Sequence, residues 1–409
     1  MNQKDRYSPS QKVHIVYLGE AGFPIGLGAI QRMTLVSKSL LNENCKVTVL
    51  CRKGVLRRNS NPDFDINGSF EGIDYIYTSD SVFRPEGFFR RNFAKLKGLI
   101  GEFKYLFHLK KANNLTAAII SNHSSLHVLR YKIYSLLIGF PIVLNFVEMA
   151  SAMKGRDGFS TKINDRIFDN YIVKIVDGAL PISEKLMSYY NSVTHNKPSL
   201  KLPILCDFEK FKQTPQSETD IIFLYCGAAS YYELVEFVLD AFDQLKNLDK
   251  HVFLELILGG NEGELKRVKQ IIEKAKNKEQ VKITTNVSHS DIPRHYCNAS
   301  ALLIPLRPTP QDEARFPHKI GEYLASARPM ITTAFGEINH YDFVDGETAL
   351  VADDYNVVSF AEKMSYILEN PEKSKEIGIK GRQMGLDNFD YSKHGQKLMN
   401  FLLSLNRKN

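Results

Sequence analysis

The sequence predicts an α/β protein made of two successive doubly wound parallel sheets of similar size, and three observations carry that expectation. Short, nearly continuous apolar runs recur along the 409 residues, the pattern of strands covered on both faces. Helix-length stretches with a period near 3.6 separate them. The alternation breaks at a polar stretch, KFKQTPQSETD over 210–220, and restarts beyond it, as a linker between two domains does.

The elements follow in order. KVHIVYL (12–18) is a strand, the Gly/Pro loop GEAGFPIGLG follows, a helix pattern covers 29–41, and KVTVLC (46–51) closes a strand–helix–strand unit. TAAIIS (116–121), PIVLNFVE (141–148), DGALPIS (177–183) and LKLPIL (200–205) are predicted to complete the first sheet. The second begins with IIFLYCG (221–227), a helix over 233–245 and VFLELILGG (252–260). A helix over 262–276, VKITT (281–285) and ALLIPL (301–306) continue it. Three helical stretches begin near Val357, Pro371 and Tyr391. The expected domains are 1–208 and 209–385, with an amphipathic tail helix in 386–409 packing back on the first.

Composition narrows the class. At 43% hydrophobic and 24% charged residues the chain is globular rather than disordered. The most apolar stretch, 136–147, is short and broken by Gly139, Pro141 and Asn145, so no membrane-spanning helix is predicted. The first ten residues, MNQKDRYSPS, lack the pattern of a secretory signal, and a cytoplasmic location is expected. Cysteines 45, 51, 206, 226 and 297 are odd in number and form no CxxC pair, which fits reduced thiols rather than disulfides or zinc.

The net charge of +7 is clustered. Between Arg84 and Lys111, eight cations face two acids, Glu86 and Glu102, while Phe89, Phe93, Leu96, Ile100, Phe103 and Phe107 recur at helical spacing. This basic amphipathic helix either lies on an anionic membrane surface or turns its aromatic stripe against the sheet.

Several motifs bear on chemistry. Gly26 and Gly28 open like a dinucleotide fingerprint, but position 31 is Gln and no acid ends the second strand, so an NAD site is not expected. The loop still lies where ligands of open α/β sheets bind. Asp63 and Asp65 have the spacing of a divalent-metal pair, yet their Asn/Pro/Gly neighbours mark a solvated turn. His123 follows TAAIIS at the carboxyl end of the sheet, either as a cleft histidine or as a surface one. His123 and His127 have no carboxylate near them in sequence to complete a zinc site.

The richest segment is LLIPLRPTPQDEARFPHKIGEYLASARPMITT, 302–333. A buried strand leads into a loop bearing Arg307, Arg315 and Lys319, then a helix starting near Pro317. Ile320, Tyr323, Leu324 and Ala327 form its core stripe, and Glu322 points away from it. Free amides and cations at a helix start attract a diphosphate, and a carboxylate one turn deeper accepts hydrogen bonds from a ribose diol. A charged surface loop and helix is the alternative.

FPHKIGEYLASARPMITT, 316–333, followed by GEINHYDFVDGETALVADD, resembles the second-domain signature of retaining glycosyltransferases with the GT-B fold, family 4. That resemblance implies two Rossmann-like doubly wound domains facing a central cleft. It implies a nucleoside diphosphate sugar as donor, bound on the second domain along Glu313, Arg315, Phe316, Pro317, His318, Ile320 and Glu322, with Gly26 and Gly28 of the first domain adjoining. Glu322 matches the family's ribose-binding Glu. Ala314 stands where its sugar-binding Glu is usual, with Glu313 one place away, and Gly227 is followed by AASYY rather than by the family's Arg and Lys. Arg307, Arg315 and Lys319 are then the cations left for the leaving diphosphate. Glu148 resembles the family's cleft acid near the acceptor, and His123 joins it as a catalytic candidate.

The implied reaction needs no metal or other cofactor. It moves a sugar, with retention, to a hydroxyl of a glycan or lipid-linked acceptor in bacterial cell-surface polysaccharide synthesis, on the inner face of the membrane. No nucleic acid partner is expected. A nucleotide sugar 2-epimerase and a non-catalytic scaffold of the same fold are the alternatives.

Overall fold

A computed structural model of the chain describes residues 13–406 except 20, 21, 27, 58, 59, 61, 213–219 and 247. The amino-terminal MNQKDRYSPS and most of the expected linker lie outside the described residues. The chain divides into two compact units, Met1–Leu205 with Tyr391–Asn409, and Cys206–Asp390. The expected limit at 385 falls inside a helix whose last residue, Phe389, packs on Phe316 and Tyr341. That aromatic anchor keeps the whole helix in the second unit.

In the first unit the elements are β1 (His14–Leu18), α1 (Gly28–Leu41), β2 (Lys46–Cys51), β3 (Asn67–Phe70), β4 (Ile73–Tyr77), α2 (Phe88–Lys111) and β5 (Ala117–Ile120). There follow α3 (Ser125–Ile138), β6 (Ile142–Phe146), α4 (Phe159–Ile167), a π-helical turn Phe168–Ile172, α5 (Val173–Ile175), β7 (Gly178–Pro181) and α6 (Glu184–Thr194). The sheet order is β3-β4-β2-β1-β5-β6-β7. It is parallel except for β3, which pairs antiparallel with β4 across a turn in which Glu71 and Gly72 both have positive φ. This edge hairpin escapes the sequence reading because NGSF is short, polar and exposed.

The segment 200–205 is not a ladder strand. It runs alongside β7 through Leu200 N–H to Ala179 O and Leu202 N–H to Pro181 O, and Pro203 then has no N–H to continue. Its carbonyls serve another purpose. Arg32 of α1, fully buried, donates to Leu202 O at 2.8 Å, Pro203 O at 2.7 Å and Asn145 Oδ1 at 3.0 Å. Burial lowers its pKa to about 10, so it stays cationic at neutral pH.

Beyond the second unit, α14 (Gly395–Asn406) belongs to the first. Its Leu398, Leu402 and Leu405 enter the core formed by Ile15, Val36, Leu40 and Val47.

Helix α2 does not turn its aromatic stripe against the sheet. Gly98, Glu102 and Leu106 face inward, while Phe89, Phe93, Leu96, Ile100 and Phe107 are exposed and Phe103 is half-buried. The cause is close approach. A Cβ at Gly98 would sit 2.0 Å from Arg52 O, and one at Gly101 2.6 Å from Thr78 O. At these two positions only glycine fits, so the side that carries them turns in and the aromatic side turns out.

The second unit runs β8 (Ile221–Ala228), α7 (Tyr232–Asp243), β9 (Val252–Gly259), α8 (Glu262–Ile272), β10 (Val281–Thr285), α9 (Ile292–Asn298) and β11 (Ala301–Ile304). Then come α10 (Pro310–Ala314), α11 (Lys319–Ala325), β12 (Met330–Thr333), β13 (Leu350–Ala352), α12 (Val357–Glu369) and α13 (Pro371–Phe389). Its sheet order, β10-β9-β8-β11-β12-β13, is parallel throughout. Phe223, Leu254, Leu256, Leu303 and Ile331 form its centre with α7 and α12.

Candidate active site

In the second sheet the chain leaves β8 for β9 on one side and returns as β11 on the other. This is the topological switch point, where loops at the carboxyl ends of the strands diverge and ligands of open α/β sheets bind. The loops in question are Ala229–Tyr231 after β8 and 305–318 after β11.

The second loop contains a helix that the sequence reading missed. Thr309 caps it, its Oγ1 accepting from Asp312 N–H at 3.3 Å, and Pro310 occupies the first turn, where its missing N–H costs nothing. This short α10 turns Asp312 inward, completely buried. Asp312 Oδ2 accepts from Arg307 N–H at 3.0 Å and Nε at 2.8 Å, and Oδ1 from Arg307 Nη2 at 3.2 Å. Arg315 Nη2 lies 2.7 Å from Oδ1. Burial alone would raise the carboxyl's pKa; Arg307 and Arg315 outweigh it and hold the group below its ordinary value.

This clamp corrects the sequence expectation of Arg307 and Arg315 as free cations. Two guanidiniums around one carboxylate leave one net positive charge. Tyr231, opening the β8–α7 turn, receives hydrogen bonds at its hydroxyl from Arg315 Nη1 at 3.2 Å and Gln311 Nε2 at 3.4 Å. Its ring lies 5.4 and 5.2 Å from the Arg307 and Arg315 guanidiniums. Arg315 Nε is buried and has no hydrogen-bond acceptor among the described residues.

Farther along, Phe316 and Ile320 are core residues rather than ligand contacts. Phe316 stacks on Tyr341 at 5.6 Å and meets Phe389 edge-on, and Ile320 is fully buried. Glu313, Pro317 and His318 are half-buried, and Ala314 is buried. Helix α11 begins at Lys319, two residues later than expected, and spans seven residues. Its start is a weaker dipole than a long helix would supply.

Glu322 on α11 is partly exposed. Burial raises its pKa, opposed by the charge of Lys319 and a hydrogen bond from Tyr296. Tyr296 in turn meets Tyr323 edge-on at 4.9 Å, and Tyr323 Oη accepts from Cys226 N–H at 3.1 Å. The carboxyl is thus tied to the end of β8 through two buried tyrosines. Lys319 forms no ion pair among the described residues, which leaves its charge for an anion.

The first unit assembles a second group of candidates. Asn122 donates to Gly19 O at 2.8 Å, joining the loops after β5 and β1 at that sheet's switch point. Gly26 and Gly28 are exposed, and open space surrounds Gly28. His123, half-buried beside Phe168, has its pKa lowered to about 4 by burial and by Arg156, against Asp165. It is neutral at pH 7, able to exchange a hydrogen bond but not to serve as an acid. Glu148, half-buried after β6, is close enough to raise the pKa of Arg156, whose larger influence is its hydrogen bond to Asp165. Glu148 and His123 therefore share one charged neighbourhood. Asp63 and Asp65 are exposed in the bend before β3, and Asp65 accepts from Ile66 N–H.

Asp312, Tyr231 and Tyr296 were missed. Thr309 and Asp312, three apart after Pro, do carry a helix-start signal, although α10 is too short to show periodicity.

Residues 207–384 match the model of the family described as glycosyl transferases group 1. A trehalose synthase of Pyrococcus horikoshii is 36% identical over 86 residues, covering 21% of this chain and 20% of that protein; the match thus spans about a fifth of that relative's length. Sucrose-phosphate synthase from Thermosynechococcus elongatus superimposes with a TM-score of 0.75 at 13% identity, over 98% of this chain and 100% of that one. Anabaena HepE, solved with UDP-glucose, gives 0.70 at 13% identity, over 96% and 100%. The lipopolysaccharide outer core galactosyltransferase WaaB gives 0.62 at 14%, over 96% and 99%. The chain has the GT-B fold, and the match to the glycosyl transferases group 1 model lies within its second unit.

Proposed function

We propose that the protein transfers a sugar from a nucleoside diphosphate sugar to an acceptor hydroxyl. The observation that carries this reading is Glu322, hydrogen-bonded by Tyr296 and within the electrostatic reach of Lys319, which forms no ion pair among the described residues. A carboxylate there accepts hydrogen bonds from the two hydroxyls of a ribose. Lys319 and the single net charge of the Arg307–Asp312–Arg315 clamp stand near a diphosphate that gains negative charge as it leaves.

In the reaction the bond from the sugar carbon to the diphosphate oxygen breaks and one to the acceptor oxygen forms. The acceptor proton passes to a phosphate oxygen, on the same face of the sugar, so configuration is retained and neither a side-chain nucleophile nor a metal takes part. Glu148 and His123 are the acceptor-side candidates, the first as a hydrogen-bond acceptor for the incoming hydroxyl and the second as a neutral partner. The acceptor class we favour is a lipid-linked glycan of a bacterial cell surface, with the enzyme peripheral on the inner face of the membrane. The exposed basic helix α2 supports this choice, as does the likeness to WaaB, whose name places it in lipopolysaccharide synthesis.

Thermal-shift and calorimetric titrations with UDP, GDP and their sugars test the donor. A shift with one nucleotide that disappears in Glu322→Ala is expected. No shift with any of them, in a folded protein, refutes the reading, and consumption of the donor without an acceptor assigns an epimerase instead.

A further inference from the structure

Three helices of the first unit, not one, turn apolar residues outward. In the sheet order, the connections β4 to β5, β5 to β6 and β6 to β7 all advance in one direction, whereas β1 to β2 goes back. Right-handed crossovers therefore place α2, α3 and α4 on one face and α1, with α14 against it, on the other. The three are neighbours. Tyr134 of α3 donates to Leu99 O of α2 at 3.2 Å, and Asn164 of α4 accepts from Ser125 N–H of α3 at 2.9 Å.

Each carries an exposed apolar stripe at helical spacing. On α2, Phe89 is 85% exposed; on α3, Leu136 is 71% exposed, with Leu137 beside it; on α4, Phe159 is 82% exposed, followed one and two turns on by Ile163 and Ile167. Isolated exposed apolar residues need no explanation, but stripes on three adjacent helices of one layer do.

The charges on the same helices identify the partner. Their carboxylates are Glu102 and Asp165, both buried. Glu102 accepts from Tyr131 Oη at 2.9 Å and pairs with Arg130 at 3.2 Å, and Asp165 is bound by Arg156. Arg90, Lys95, Lys104 and Arg166 are exposed, and Lys162 pairs at 3.7 Å with Asp157, which precedes α4, so the helices themselves present cations and apolar side chains to solvent and carry no exposed acid. Two copies of such a face would set cation against cation. An anionic lipid leaflet complements both features, taking the aromatic and aliphatic side chains below its headgroups and the cations among them.

We propose that the outer surface of α2, α3 and α4 together is a docking face for an anionic bilayer, extending well beyond the basic helix. It rests on and extends the membrane-surface part of the proposed function, while its residues lie outside the second unit that carries the donor-site candidates.

Flotation of the full chain with vesicles of phosphatidylcholine, with and without phosphatidylglycerol, tests it. Binding to the anionic vesicles that weakens with salt is expected. At about 1 kcal/mol per cation near the surface, Lys95→Glu with Lys104→Glu lowers partitioning about thirtyfold or more. Leu136→Ser with Leu137→Ser, and separately Phe159→Ser, each lower it on the order of tenfold with circular dichroism and melting unchanged. Glu322→Ala floats as the parent does. The proposal is overturned if the α3 and α4 variants float like the parent, or if light scattering shows a dimer that these substitutions dissociate while vesicles are ignored.

Discussion

Replacing Asp312 by Asn should unsettle the second unit far more than its small change in shape suggests. The carboxylate is completely buried and faces four donors, Arg307 N, Nε and Nη2 and Arg315 Nη2, at 2.7 to 3.2 Å. The amide keeps the volume but removes the charge and turns an NH2 group toward guanidinium donors. Breaking one side of a buried ion pair costs about 3 to 5 kcal/mol, because the surviving charge stays uncompensated; here two charges survive and repel each other. Taking the lower figure, and about 2 to 4 °C per kcal/mol for a domain of this size, the melting temperature should fall by about 6 to 12 °C.

Scanning calorimetry of the full chain at pH 7 measures this, and a pH series checks the cause. The folded pKa of Asp312 is depressed, so its contribution is present above the unfolded value of about 3.9 and is lost as pH falls through the folded value. The gap between parent and variant should stay constant above pH 5 or so and close in stronger acid. Adding Arg315→Met to the variant should restore part of the loss by removing one stranded charge. If parent and Asp312→Asn melt within about a degree of each other at pH 7, the clamp does not hold, and Arg307 and Arg315 are available to a ligand after all.

The remaining expectations concern other buried polar groups and the nucleotide. Glu322→Gln keeps one acceptor oxygen but loses the charge, and should weaken nucleoside diphosphate binding by about ten- to a hundredfold, at about 1.5 to 3 kcal/mol for a charge-assisted bond; calorimetric affinities equal to the parent's would contradict the ribose role. His14, buried in β1 against Thr48 Oγ1 at 2.9 Å, has its pKa lowered to about 4 by burial, then by Lys46, against Asp74. The unfolded chain binds the extra proton, so stability should drop by about 3 kcal/mol between pH 6.5 and 4, and urea titrations of His14→Gln should lack that part of the decline. Arg32→Lys cannot reach three acceptors with one ammonium and should cost about 2 to 4 kcal/mol; an unchanged urea midpoint would show that the carbonyls of Leu202 and Pro203 are satisfied without Arg32.

Much of the framework was legible because most strands of the two sheets are short apolar runs, several of them covered on both faces, such as IVYL in β1 and ALLI in β11. That Glu322 lies off the buried stripe of its helix was legible in its angle from Ile320. What stayed hidden depended on which groups meet. Counting cations in 302–333 made Arg307 and Arg315 look available, since nothing in one dimension shows that a five-residue helix folds Asp312 between them. Apolar spacing likewise identified α2 as a helix yet left its orientation open, because it was read as the only determinant of the buried side. The small residues decide the matter instead. Gly98 and Gly101, three apart, lie where α2 meets the carbonyls of Arg52 and Thr78, and α13 repeats the device. Gly378, Gly381 and Gly385 face Ala327 O, Thr348 O and the Leu324 side chain, at 2.3, 2.4 and 2.8 Å from where a Cβ would stand, and Ile379, one residue along, is exposed. In both helices the side that carries the glycines is the one pressed against its neighbour, and apolar groups off that side, the aromatic stripe of α2 and Ile379 of α13, remain in solvent. A glycine stripe in an otherwise amphipathic helix thus marks the packed face, and the aromatic stripe beside it becomes a surface in need of a partner.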